Sequence, residues 1–249
     1  MSSVAVYSPK GGAGKSSIAV NLAHLSASAN GRTLLWDIDA QGAAGFLVNK
    51  DRCGSEAGRM FARKTDPSAL IAPTGYPQLD LLAADTSLRR LDFQLIESAA
   101  RKRLRKLLRG LESEYRWIVL DCPPGVSEIS EQVFRAVDLV VIPVQPSPLS
   151  MRAYKEAVHH IHWKYPGGPD ILPVLSMVDM RRKLHREVLA AHPRWHAIPH
   201  ASAVERMSVE RAPVAAFAPR HPATLAFLGL WAEVKLRLCA AERSAPAKA

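Results

Sequence analysis

Short runs that are apolar at nearly every position recur along the chain, and most of them end at an acid, a proline or a glycine-rich turn. They are Val4 to Tyr7, Thr33 to Trp36 ending at Asp37, Leu79 to Leu82, Trp117 to Leu120 ending at Asp121, Leu139 to Ile142 ending at Pro143, and a stretch around Ile171 to Met177. Strands that alternate polar and apolar residues have one wet face, whereas strands apolar throughout are buried on both faces, as in a parallel sheet with helices above and below. Helical spacing fills the gaps. Ile18, Leu22 and Leu25 fall at i, i+4 and i+7 behind the first run, and Gly31 stops that helix. The pattern predicts a long helix over about residues 87–113. Further helices are predicted to begin near Ser130, near Ser147 with Pro148 in the first turn, and near Leu184, followed by two over 201–208 and 223–242. The predicted fold is α/β: a doubly wound, mainly parallel sheet of about seven or eight strands with helices on both faces. Residues 43–78, which carry Gly54, Gly58, Pro67, Pro73, Gly75 and Pro77, have too little periodicity for elements to be placed.

Composition narrows the function. The chain has 249 residues, 48% hydrophobic and 22% charged, which excludes a mostly disordered protein. Lys and Arg exceed Asp and Glu by 33 to 23, a balance of +10 that suits a polyanionic partner such as nucleotide, nucleic acid or anionic lipid. The three cysteines, Cys53, Cys122 and Cys239, are odd in number and far apart, so a reducing cytosolic compartment is expected. The start lacks the basic opening and the cleavage site of a signal peptide, and no uncharged apolar run approaches the roughly 18 residues of a membrane span.

The chemistry concentrates at the ends of the apolar runs. Lys10-Gly-Gly-Ala-Gly-Lys-Ser-Ser17 lies between the first strand and first helix. There Gly11, Gly12, Ala13 and Gly14 let backbone N–H groups of the loop converge on phosphate oxygens. The helix N-terminus adds partial positive charge, Lys15 reaches the β- and γ-phosphates, and Ser16, followed by Ser17, offers a hydroxyl to Mg²⁺. Position 9 is proline where the general phosphate-loop motif has its first glycine, and a second lysine, Lys10, precedes the loop. This stretch resembles the deviant Walker A motif of the ParA/MinD family of ATPases, whose Lys-Gly-Gly-x-Gly-Lys-Ser/Thr pattern is matched throughout. The resemblance implies ATP and Mg²⁺ as ligands, a P-loop ATPase domain over 1–243 with 244–249 as a short disordered tail, and a sandwich dimer in which Lys10 serves the partner's phosphates.

The second strand ends Asp37-Ile-Asp-Ala-Gln-Gly42, similar to the family's Asp-x-Asp-Pro-Gln-Gly with Ala40 in place of proline. By that resemblance Asp39 is expected to act in hydrolysis and Asp37 to support the metal's water shell. Trp117 to Gly125 reads as Walker B, delivering Asp121 to Mg²⁺, and Pro123, Pro124 and Gly125 resemble the switch that senses the γ-phosphate. Cys122 could be a redox or iron–sulfur ligand as in the related nitrogenase reductase, but with no second cysteine nearby an inert core thiol is favoured. Ile142 to Gln145, Met177 to Lys183, Ile198-Pro199, Ala212 to Val214 and Pro219 resemble later family stretches and favour the ParA branch.

Two basic clusters remain. Arg101 to Lys106 with Arg109 carries six cations over an apolar stripe of Leu104, Leu107, Leu108 and Leu111, which reads as a solvated helix face. Residues 181–220 hold Arg181, Arg182, Lys183, Arg186, Arg194, Arg206, Arg211 and Arg220 against Glu187, Glu205 and Glu210. In ParA proteins this half binds DNA non-specifically, which makes Arg181, Arg182, Arg206, Arg211 and Arg220 the candidate DNA contacts. His159, His160 and His162 lack the spacing of a metal site. Leu225, Leu228, Trp231 and Leu238 read as core or partner packing. The resulting expectation is a cytosolic, nucleoid-associated ATPase that dimerises with ATP and binds double-stranded DNA. Hydrolysis is expected to be slow and stimulated by a ParB-like or other adaptor, and the switch would position or segregate a cargo. Met1 lies too near Lys10 for a preceding helix-turn-helix domain, so operator-specific repression is not expected. The alternatives are a membrane-associated MinD/FlhG-like positioning ATPase, for which no membrane helix is expected here, and a ParA-like regulator of a secretion or cellulose-synthesis apparatus.

Overall fold

The computed structural model describes residues 1–29, 31–48, 57–61, 66–90, 95 and 102–244. Its strands are β1 (Ser2–Val6), β2 (Thr33–Asp37), β3 (Ile71–Pro73), β4 (Leu79–Leu82), β5 (Trp117–Asp121), β6 (Leu139–Val144), β7 (Asp170–Val178) and β8 (His196–Pro199). Its helices are α1 (Lys15–Ser28), α2 (Ala43–Leu47), α3 (Ala57–Phe61), α4 (Arg103–Gly110), α5 (Glu128–Ala136), α6 (Pro148–Lys164), α7 (Lys183–Ala191), α8 (Ser202–Glu210), α9 (Val214–Phe217) and α10 (Pro222–Ser244). The strands form one sheet in the order β3-β4-β2-β5-β1-β6-β7-β8. Every pairing is parallel except that of β3 with β4.

Alternation along each strand sends neighbouring residues into opposite layers. Val4, Val6, Leu35, Val119 and Val141 pack with Ile18 and Leu22 of α1 and with Phe227 and Trp231 of α10. Ala5, Tyr7, Leu34, Trp36, Leu120 and Ile142 pack with Leu104 and Leu108 of α4, Phe134 of α5 and Ile161 of α6. Both faces are therefore dry, which is why the strands read as unbroken apolar runs. Helix α1 is enclosed on most sides, and its buried Asn21 ties it to the C-terminal half. The Asn21 side-chain amide donates to the Ser17 carbonyl at 2.8 Å, and its oxygen accepts the Val214 N–H at 2.9 Å.

Several elements differ from their sequence expectation. In place of one long helix over 87–113, the described residues there comprise a 3-10 turn at Thr86–Arg90, Leu95, and α4 with the turn that follows it. Asp85 caps the start of this turn and ties it to α3: its carboxylate accepts the Ser87 N–H at 2.8 Å and the Ala57 N–H at 2.7 Å. On α4, Leu104, Leu107 and Leu108 face inward and Arg105, Lys106 and Arg109 face solvent, as expected, while Arg101 lies outside the described residues. Part of 43–78 does form elements, namely α2, α3, a 3-10 turn at Pro67–Leu70 and the edge strand β3. On α10 the inward face is Ala223, Phe227, Leu230, Trp231, Val234 and Leu238, whereas Leu225 and Leu228 are exposed. Helix α10 runs through Ser244; the rest of the expected tail, 245–249, and Cys53 lie outside the described residues. Among the described residues no helix is long and apolar enough to cross a membrane.

Candidate functional site

Strand β1 sits where the sheet order reverses, between β5 and β6, and open α/β sheets bind ligands at the carboxyl ends of strands beside such a point. The chain leaves β1 through Lys10 to Gly14 and enters α1 at Lys15. Gly14 is left-handed, with φ +86, and a Cβ there would come within 3.0 Å of the Ser176 hydroxyl, so only glycine closes this turn against β7. The loop opens into a cleft of about 440 Å³ lined by Gly11, Gly12, Gly14, Lys15, Ser16 and Ser17 on one side. Asp39 and Pro124 lie at its base, and α2 and α8 form its outer walls.

Three carboxylates meet beneath this loop. Asp37 and Asp121 are register partners on the adjacent strands β2 and β5, and both are fully buried. Their environments differ. The Asp37 carboxylate accepts the N–H groups of Asp39 at 3.1 Å, Ala44 at 3.0 Å and Gly45 at 3.3 Å, so it shapes the 38–42 loop and caps α2. Burial outweighs these bonds and pushes the Asp37 carboxyl up to about 7. Neither Asp121 oxygen has a partner at hydrogen-bond geometry. Burial and then the Asp37 charge raise its pKa well above the carboxylate range, while the nearby Ser16 hydroxyl and Lys15 ammonium pull the other way. Asp39 lines the cleft and accepts one bond, from the Gln41 N–H at 2.9 Å. Three acids against one buried lysine is an unbalanced set, and the two orphaned Asp121 oxygens beside Ser16 fit a hard divalent cation. Among the described residues no group of three or more His, Cys, Asp or Glu side chains could hold a metal by itself. Phosphate and water oxygens would have to complete a Mg²⁺ shell here.

This imbalance gives a stability prediction. A carboxyl whose folded pKa is raised favours the folded state below its unfolded value near 4, and that stability is lost as pH rises through the folded value. Asp121→Asn removes a buried charge without removing a hydrogen bond. In the absence of nucleotide and Mg²⁺, at a pH high enough to ionise the parent carboxylate, it is expected to raise the melting midpoint by about 5 °C, on the order of 2 kcal/mol. The gain should shrink as pH falls and the parent carboxyl protonates. A loss of stability, or a gain independent of pH, would contradict the assignment.

Lys10 does not share this cleft. It lines a smaller neighbouring recess with Ser8, Gln145, Ser150 and Tyr154, and its N–H donates to the Ser8 hydroxyl at 3.3 Å. The Gly125 N–H donates to the Ser8 carbonyl at 3.4 Å, joining the Pro123 to Gly125 loop to the start of the phosphate loop. Gln145 bridges further: its amide donates to the Gly12 carbonyl at 3.2 Å and to the Met177 sulfur at 3.3 Å. Met177 holds φ +57, unusual for a non-glycine residue, at an irregularity between β7 and β8. Cys122 is fully buried and burial pushes its thiol up, so it remains a protonated core residue.

The structure thus gathers Lys15, Ser16, Asp37, Asp39 and Asp121 into one site. The five arginines lie elsewhere, all after β7. Arg181 forms a paired contact with Asp179, Nε–Oδ1 and Nη2–Oδ2 both 2.9 Å, which holds that carboxyl well below the carboxylate range. Arg182 Nε stands 3.8 Å from the same group. Arg206 pairs with Glu210, Arg211 lies over the Phe46 ring, and Arg220 is exposed in the turn before α10. His160 Nε2 lies 2.7 Å from the Glu131 carboxylate, holding α6 to α5. Phe46, Val204, Glu205 and Ser208 also line the cleft, and the sequence reading did not find them.

A family model described as an AAA domain matches residues 1–164. The chromosome partitioning protein ParA of Myxococcus xanthus is 31% identical over 193 residues, covering 75% of this chain and 68% of that protein. The chain belongs to the ParA/MinD family of P-loop ATPases. Solved structures show the shared fold at lower identity. An ATP complex of Cyanothece McdA superposes with a TM-score of 0.83 at 17% identity, covering 94% of this chain and 96% of that one. The cell division ATPase MinD of Pyrococcus furiosus superposes with a TM-score of 0.75 at 18% identity, covering 94% and 98%. The ParA/MinD fold expected from the sequence is the fold observed.

Proposed function

We propose that this ParA/MinD-family ATPase is a dimerising switch that binds ATP and Mg²⁺, associates with double-stranded DNA without sequence preference in that state, and releases both on slow hydrolysis. The observation that carries it is the placement of the two lysines. Lys15 lines the cleft with the loop glycines, while Lys10 lines a separate recess and is left to serve a second copy. Ser16, Asp37 and Asp121 would hold Mg²⁺, which when bound neutralises charge on the phosphates. Asp39, the acid that lines the cleft, orients the attacking water. The arginines after β7 would supply phosphate contacts; each guanidinium has five donors, so those already paired within the chain retain donors for DNA. A cargo adaptor that recognises the ATP dimer would accelerate hydrolysis and set what is positioned.

Light scattering coupled to gel filtration should show a monomer with ADP and a dimer with a non-hydrolysable ATP analogue. The dimer should co-sediment with unrelated DNA sequences alike, with binding falling steeply between about 50 and 200 mM salt. A chain that stays monomeric with the analogue overturns the switch. A dimer that ignores DNA at low salt but sediments with anionic liposomes favours a membrane matrix. A dimer that binds neither points to a switch acting through protein contacts alone.

A further inference from the structure

The nucleotide cleft has walls from opposite ends of the chain. On one side α2 continues from the loop that Asp37 organises; on the other, Val204, Glu205 and Ser208 belong to α8. Phe46 lines the α2 wall and stands 44% exposed, an unusual position for a large aromatic side chain. Arg211, at the C-terminal end of α8, lies over it. The Arg211 Nε donates to the Phe46 carbonyl at 3.2 Å, and the guanidinium carbon stands 4.6 Å from the ring centroid. The two residues are 165 positions apart, so this is a tertiary link between the two walls.

Both ends of the link are specific. The Phe46 carbonyl belongs to the last turn of a five-residue helix; it accepts the N–H of the capping Val48, and Arg211 Nε adds a second, charged donor from α8's end. Arg211 closes α8 in the left-handed region, φ +49 and ψ +46, a conformation that glycine adopts without strain and arginine does not. The chain thus holds a left-handed arginine at the cap of α8 where its guanidinium meets Phe46.

We propose that Arg211 and Phe46 form a latch across the mouth of the cleft, which must part for nucleotide to leave and so sets how long it stays. The latch rests on the reading of this cleft as the nucleotide site. Arg211 is a positioning residue that acts through Phe46. Its loss removes the charged hydrogen bond to the Phe46 carbonyl and the cation–π contact with its ring, so nucleotide release should quicken by about five- to tenfold.

The test is stopped-flow release of a fluorescent ADP chased with unlabelled nucleotide. Arg211→Ala should release about five- to tenfold faster. Phe46→Ala removes the ring contact but keeps the carbonyl that Arg211 Nε reaches, so it should release faster than the parent by a smaller factor, and the double variant no faster than Arg211→Ala. Phe46→Trp, which keeps a ring for the guanidinium, should release at the parent rate. Arg211→Gly separates the latch from simple structural support: it relieves the backbone, so it should melt no lower than the parent while still releasing fast. Parent-like release from Arg211→Gly and Phe46→Ala overturns the latch, as do effects that multiply in the double variant. A parent chain that binds no adenine nucleotide at all overturns the proposed function, and the latch with it; a parent that binds while the variants release normally overturns the latch alone.

Discussion

Lys15→Ala is expected to weaken ATP binding by at least about 100-fold, enough to bring it below detection in a calorimetric titration. Lys15 is buried under the phosphate loop and is the cation set among Asp37, Asp39 and Asp121. Removing it does two things. It deletes a charge-assisted contact to the β- and γ-phosphates in a poorly solvated site, where truncating one member of a charge pair costs about 2–5 kcal/mol. It also leaves three carboxylates facing an anionic ligand with no countercharge, so the site turns from neutralising to repelling. Lys15→Gln, which keeps length and hydrogen-bonding capacity, should behave nearly as badly, because charge is the decisive loss. An affinity within about fivefold of the parent in both variants would contradict the reading of the loop as a triphosphate site; a tenfold step corresponds to about 1.4 kcal/mol. Circular dichroism of the variants would confirm that α1, packed on most of its circumference, is intact.

The residues of this site were legible in the sequence because function forces them into contiguous segments. Lys10 to Ser17, Asp37 to Gly42 and Asp121 to Gly125 each follow an unbroken apolar strand, and a parallel sheet brings strand ends to one edge whatever lies between them. The division of labour among the acids was not legible. Asp37 and Asp39 look alike as strand-end carboxylates. Only the fold shows that Asp37 spends its oxygens on the 38–45 backbone while Asp121 has none of its capacity used. The far wall of the cleft was also hidden. Glu205, Ser208 and Arg211 sit in a segment with no phosphate-binding signature, and their approach to α2 depends on Asn21 and Val214, contacts separated by nearly the whole chain. Strand β3 escaped notice because three residues between Pro67 and Gly75 cannot show a period, and it pairs antiparallel where the strand–helix alternation predicts parallel neighbours. The long helix expected over 87–113 is interrupted among the described residues by the 3-10 turn Thr86–Arg90 and by Lys102, which stands outside helical geometry before α4: amphipathic spacing reports where apolar residues fall and says nothing of where the backbone leaves the helix.

Asp39→Asn is expected to slow ATP hydrolysis by about 100-fold while leaving ATP affinity within about threefold of the parent, the lower end of what a positioned acid–base group contributes. The choice of variant follows from the structure. Asp39 closes a turn by accepting the Gln41 N–H, and asparagine keeps that acceptor, so Asn removes the charge without unfolding the loop. Alanine removes both, and Asp39→Ala should add a loosened 38–42 loop to the same catalytic defect. Phosphoryl transfer asks little covalent work of the protein; in the proposed mechanism Asp39 would supply a negative oxygen that orders the water and can accept its proton. The other two acids are poorly placed for that task, Asp37 because its oxygens hold α2 and Asp121 because it lies fully buried behind Ser16 and Lys15. A slow variant that still binds ATP should accumulate the nucleotide-bound dimer, visible as a persistent dimer peak with ATP itself where the parent returns to monomer. Turnover of Asp39→Asn at the parent rate would overturn the water-orienting role assigned to Asp39.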